Sequence, residues 1–102
     1  MSRNKCFAAI DLGTNSCRLL IANQYKKYLF SEAYSVKLGE GMYEHMKFTP
    51  EAMNRGLECF YKLKQIMDRY HIVKTRAIAT ASCRMAQNAQ EFINKVYNES
   101  MI

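Results

Sequence analysis

The sequence has little of what marks a membrane, secreted or low-complexity chain. It holds one proline and four glycines in 102 residues. No stretch reads as a flexible linker, and no repeat or biased segment is present. No apolar run approaches the ~20 residues needed to cross a bilayer. The N-terminal MSRNKC leads straight into a strand-like run, without the apolar stretch and cleavage site of a secretory signal. A cytoplasmic location and no membrane partner are expected. The four cysteines, Cys6, Cys17, Cys59 and Cys83, show neither metal-ligand nor redox spacing, and nothing calls for disulfides. Cys6, Cys17 and Cys59 fall within apolar patterns and are expected as buried, small hydrophobes. Cys83 lies nearer a candidate site, with nothing beside it that marks a nucleophile.

What is present is enough for one small domain with a modest core. The formal charge is +6, from 15 Lys and Arg against 9 Asp and Glu. That balance suits a polyanion such as nucleic acid, nucleotide, polyphosphate or a membrane surface, and equally an ordinary basic surface.

The first third reads as strands at residues 5–11, 17–22 and 27–36. Their connections are too short for helical crossovers, so an antiparallel meander is expected. A two-glycine turn, LGEGM at residues 38–42, comes next. A long helix is expected near residues 50–70: Thr49 can cap it, Pro50 suits its first position, and Glu51 favours the positive end of the dipole. Its apolar stripe reads Met53, Leu57, Phe60, Lys64 and Met67, with Leu63 and Tyr70 beside it. Lys64 interrupts that stripe, its stem able to lie along it. VKTRAIAT, residues 73–80, alternates as a fourth strand. A helical crossover should return it parallel to the first. C-terminal helix is expected over about 81–99, with Asn88 and Glu91 spaced as a capping box. The order is β-β-β-α-β-α, with helices packed on a mixed sheet.

Chemistry concentrates in DLGTNS, residues 11–16, between two apolar strands. Gly13 permits a positive φ and removes a side chain that would block a ligand. Asn15 tolerates left-handed backbone and carries an amide donor. Thr14 and Ser16 add hydroxyls, and successive N–H groups around such a turn can form an anion-binding nest. Asp11, at the strand end, could hold Mg²⁺ or orient a water. The same composition also makes a good hairpin turn with no ligand. ATASCR, residues 79–84, strengthens the first reading. There a strand ends and a helix begins, a place that attracts anions. Thr80 and Ser82 can cap it or touch a phosphate. Arg84 opposes the dipole, which an anionic partner would explain. A plain surface ion pair would also explain it.

AIDLGTNSCRLLIA, LGEGM, TPEAM and AIATASCRMAQNAQEF occur in one order. Together they resemble the N-terminal region of the exopolyphosphatase / guanosine pentaphosphate phosphohydrolase family, from about Phe7 to Tyr97. The resemblance implies an α/β fold: an incomplete ribonuclease-H-like lobe of the actin-like ATPase and sugar-kinase superfamily. It implies hydrolysis of terminal phosphoanhydride bonds in polyphosphate or guanosine pentaphosphate, usually with Mg²⁺. By the same resemblance, Asp11 lies at the metal and water end of the first strand. Gly13, Thr14, Asn15 and Ser16 form the first phosphate loop, and Arg84 is a phosphate-contacting arginine. Glu40 matches a recurrent position without an assigned role.

In that family a glutamate-bearing strand and a second glycine-rich phosphate loop follow the region found here. These 102 residues alone are therefore expected to be inactive, as a truncated product, a split gene or a fragment. No residue is put forward as catalytic. An uncovered sheet edge is expected to favour self-association. Two other readings stand beside the hydrolase lobe. One is a nucleotide-binding lobe of the actin-like or sugar-kinase type, which shares DLGT. The other is a non-enzymatic basic remnant that binds polyanions. ATASCR and LGEG favour the phosphatase branch.

Overall fold

The computed structural model describes residues 4–79 and 86–100. Thr80, Ser82, Cys83 and Arg84 lie outside the described residues. Three strands come first: β1 (Cys6–Leu12), β2 (Ser16–Asn23) and β3 (Tyr28–Ser35). A short helix α1 (Met42–His45) leads to the long α2 (Pro50–Met67). Strand β4 (Ile72–Ala79) and helix α3 (Ala89–Ser100) follow. Among the described residues the strands form one mixed sheet in the order β3-β2-β1-β4. β1 pairs antiparallel with β2 and parallel with β4, and β2 pairs antiparallel with β3. The expected meander and parallel return are therefore present.

β1 buries Cys6, Ala8, Ile10 and Leu12 and exposes the residues between them. That period of two places one face of the sheet on the helices. β2 answers with Cys17, Leu19 and Ile21, each fully buried. β4 is different. It is exposed or half-buried along its whole length, including Val73 and Ile78, as befits an edge strand with one neighbour.

Thr49 caps α2 by accepting from the Ala52 N–H at 3.1 Å, with Pro50 at the first helical position. The buried face of α2 is Ala52, Met53, Gly56, Cys59, Phe60, Leu63, Ile66 and Met67. The expected stripe is thus rotated. Leu57 and Lys64 flank the core, and Lys64 reaches Asp68 at 3.1 Å along the helix instead. Gly56 faces α3: a Cβ there would lie 2.7 Å from the Phe92 ring. Phe92 is fully buried and meets Phe48 edge-on, with centroids 5.6 Å apart.

The expected turn at LGEGM is present, and the short helix Met42–His45, which the sequence does not signal, follows it. One expectation about the C-terminal helix is corrected. C-terminal helix does not run through residues 86–88, which form a turn before α3 starts at Ala89. The reason is tertiary. The Asn88 amide pairs with both backbone groups of Phe48, accepting from N at 2.8 Å and donating to O at 3.0 Å. The Gln87 N–H donates to Met46 O at 2.7 Å. Asn88 thus precedes the helix as expected, but its side chain ties α3 to the segment before α2. Glu91 pairs with Lys95 at 3.8 Å.

Candidate phosphate site

The loop at residues 13–15 joins the C-terminal end of β1 to the start of β2. It is closed by the Gly13 N–H donating to Ser16 O at 2.8 Å. Leu12 and Cys17 pair across it on the buried face, and Asp11 and Arg18 pair on the other. Asp11, Asn15 and Ser16 are exposed, while Gly13 and Thr14 are half-buried. Within residues 11–16 the exposed polar side chains are therefore one carboxylate, one amide and one hydroxyl.

The backbone expectation for this loop is corrected. Gly13 and Asn15 are not in the left-handed region; the left-handed positions nearby are Lys37 (φ 47°) and Gly41 (φ 77°). Gly13 matters for space instead. A Cβ there would lie 3.3 Å from Ser16 O, inside the bond that closes the loop.

A second segment holds the loop from behind. Val36 and Lys37 each donate their N–H to Asn15 O at 2.9 Å, and Gly39 donates to Thr14 O at 3.1 Å. That segment is fixed in turn by Arg55 of α2. Its Nε donates to Val36 O and its Nη2 to Lys37 O, both at 2.9 Å, and Nη2 reaches Glu40 Oε1 at 3.4 Å. Arg55 is the residue that reading along the chain misses. Nothing near it in sequence marks it; only the LGEG turn hints that carbonyls there need donors. Glu40 gains a contact by the same route, as a half-exposed partner of Arg55.

The topology sets what lies next to the loop. In the parallel β1–β4 register, Asp11 stands beside Ile78 and Leu12 beside Ala79. The chain leaving β4 therefore starts at the same end of the sheet as the loop. Arg84 lies outside the described residues.

Mg²⁺ typically binds one or two carboxylates and keeps several waters or phosphate oxygens. Among the described residues no group of three or more His, Cys, Asp or Glu comes together. The exposed Asp11 beside a loop of donors fits the role of one protein ligand to such a hydrated ion. An apolar groove of about 430 Å³ adjoins this end of the sheet, between the end of β4 and α3, lined by Leu12, Phe60, Ile78, Ala79, Phe92 and Tyr97 among others. Its lining does not suit an anion.

Residues 20–101 match the model of the Ppx/GppA phosphatase family. The chain belongs to that family. The solved Ppx/GppA protein of Aquifex aeolicus superposes with a TM-score of 0.90 at 26% identity, over 96% of this chain and 33% of that one. An exopolyphosphatase from Cytophaga hutchinsonii superposes with a TM-score of 0.89 at 32% identity, over 95% and 32%. A bifunctional 3-dehydroquinate synthase/phosphatase of Fusobacterium nucleatum is 39% identical over 105 residues, 93% of this chain and 16% of that protein. The chain thus spans about a third of the solved Ppx/GppA proteins it matches. Its mixed sheet and helices are an incomplete ribonuclease-H-like lobe. Family membership favours the phosphatase branch over the sugar-kinase branch. Among the described residues, no helix is long and apolar enough to cross a membrane.

Proposed function

We propose that residues 1–102 are one incomplete N-terminal lobe of a phosphoanhydride hydrolase, the lobe that holds the terminal phosphates of inorganic polyphosphate or guanosine pentaphosphate. The observation that carries this reading is the parallel pairing of β1 with β4, which brings Leu12 level with Ala79. Loop 13–16 and the end of β4 at Ala79 then share one end of the sheet. Open α/β sheets bind ligands at the carboxyl ends of strands for this geometric reason. Thr14, Asn15 and Ser16 supply donors to phosphate oxygens, Gly13 leaves room for the anion at the closed turn, and Arg84 supplies the cation. Asp11 holds a hydrated Mg²⁺ that offsets the charge a carboxylate would otherwise present to the anion. When bound, the ion polarises phosphoryl oxygens.

Hydrolysis needs base, water, metal and phosphate held together. We expect this chain alone to bind without turnover. With one lobe, affinity for phosphate or short polyphosphate should be on the order of millimolar, near −4 kcal/mol. Amide chemical shifts followed through a phosphate titration test this. Shifts should centre on residues 13–16 and 80–84. Arg84→Ala should weaken binding by roughly 1.5–3 kcal/mol, the range for hydrogen bonds to charged groups. Gly13→Val should abolish binding, because its bulk enters the bond that closes the loop. Shifts spread over the basic surface, with none at those residues, would leave a non-specific polyanion binder.

A further inference from the structure

We propose that Cys17 and Cys59 are a modification site: a reversible cystine that ties β2 to α2 when the chain meets a peroxide. Cys17 follows Ser16 of the candidate loop as the second residue of β2, and Cys59 lies midway along α2. Both belong to one buried cluster. The two thiols adjoin and perturb one another's ionisation. Tyr34 of β3 is the cross-strand partner of Cys17. Lys62, one turn after Cys59, places its Nζ 4.5 Å over the Tyr34 ring. Three elements thus bring two sulfurs, a phenol and an ammonium to one place.

Access and charge set the order of events. A surface pocket of about 380 Å³, lined by Tyr34, Ser35, Arg55, Glu58, Cys59 and Lys62, opens onto Cys59. Cys59 is 8% exposed, whereas Cys17 is 0%. The Cys17 thiol and the Lys62 ammonium hold the Cys59 thiol below its ordinary value, and contact with Cys59, with burial, pushes Cys17 up. The pocket reaches Cys59 and not Cys17, and the thiolate is the nucleophilic form, so Cys59 reacts first.

The thiolate attacks one peroxide oxygen. An S–O bond forms, the O–O bond breaks, and the departing hydroxide takes a proton to become water. Cys59 is then a sulfenic acid. The Cys17 sulfur attacks the Cys59 sulfur. The S–S bond forms, the S–O bond breaks, and the hydroxyl leaves with the Cys17 proton as a second water. Two thiols give up two electrons and the peroxide accepts them. Because Cys17 adjoins Ser16, the bond also tethers the end of the candidate phosphate loop to α2.

The test exposes the native 102-residue chain to hydrogen peroxide. Free thiols should fall from the four in the sequence to two. Intact mass should drop by two hydrogens, and the cross-linked peptides should carry Cys17 and Cys59. Dithiothreitol should restore all four thiols. Cys59→Ser should form no cystine. Cys17→Ser should stop at a Cys59 sulfenic acid that dimedone captures, with circular dichroism confirming that both variants fold. A native chain that keeps four free thiols overturns the proposal. So does a cystine that maps to Cys6 or Cys83, or one that joins two chains.

Discussion

Arg55 shows how much one side chain can organise. Its guanidinium donates to two carbonyls of the segment that holds loop 13–16, and touches Glu40. The planar fork suits two diverging acceptors in a way an ammonium does not. Arg55→Ala should cost about 1.5–3 kcal/mol, from charged hydrogen bonds lost to half-buried backbone, and Arg55→Lys should recover little of it. Urea denaturation would read the loss. Glu40→Ala should change stability by less than ~1 kcal/mol, because that ion pair is largely solvated. If the Glu40 variant proves as damaging as the Arg55 variant, the carbonyl contacts are not what Arg55 is for.

Between elements, the tight place is α2 against α3. Gly56 sits inside a helix, where glycine normally costs ~1 kcal/mol relative to alanine. Here the added methyl would meet the Phe92 ring, which is locked against Phe48. Gly56→Ala should therefore destabilise the chain by about 1–3 kcal/mol, as overpacking does, despite the better helix former. Thermal unfolding would show it, and Phe92→Leu in the same chain should recover part of the loss. Asn88 does the parallel job at the start of α3. Asn88→Ala removes both bonds to Phe48 and leaves a buried residue's backbone unpaired, at a cost of about 1–3 kcal/mol. An Asn88→Ala chain as stable as the parent would mean water replaces the amide at that turn.

At the scale of the whole molecule, the sheet has two edge strands among the described residues, β3 and β4, and an apolar groove opens beside β4. β4 has a single strand neighbour among the described residues, and the groove beside it leaves Ile78, Ile93 and Tyr97 exposed. An unpaired strand edge next to apolar surface is a template for another strand. We expect two copies of the chain to associate through this edge. Sedimentation across a concentration series should show the weight-average mass rising, and Ile78→Lys should shift association to higher concentration. A compact monomer at every concentration would rule it out. The net charge of +6 opposes close approach of two copies, so added salt should favour the association by screening.

Local signals were enough for much of the fold. Short apolar runs marked β1 and β2, Thr49 and Pro50 marked the start of α2, and short connections marked the meander. Each depends only on residues a few positions apart, which is why it could be read from the chain. The DLGTNS loop between β1 and β2 was legible for the same reason, from turn-forming residues a few positions apart. Other features were decided by tertiary structure. The true stripe of α2 runs through Gly56 because Phe92, far along the chain, needs that space. Residues 86–88 turn rather than continue a helix because Asn88 bonds Phe48. The loop's shape is held by Arg55 through residues 36–40, so its glycine serves space and not a left-handed turn. Contacts between residues distant in sequence leave no local pattern, since either partner alone looks like an ordinary polar or small residue. Family membership could be read from four motifs in order. That loop 13–16 and the end of β4 lie at one end of the sheet depends on a parallel strand pairing that only the folded chain supplies.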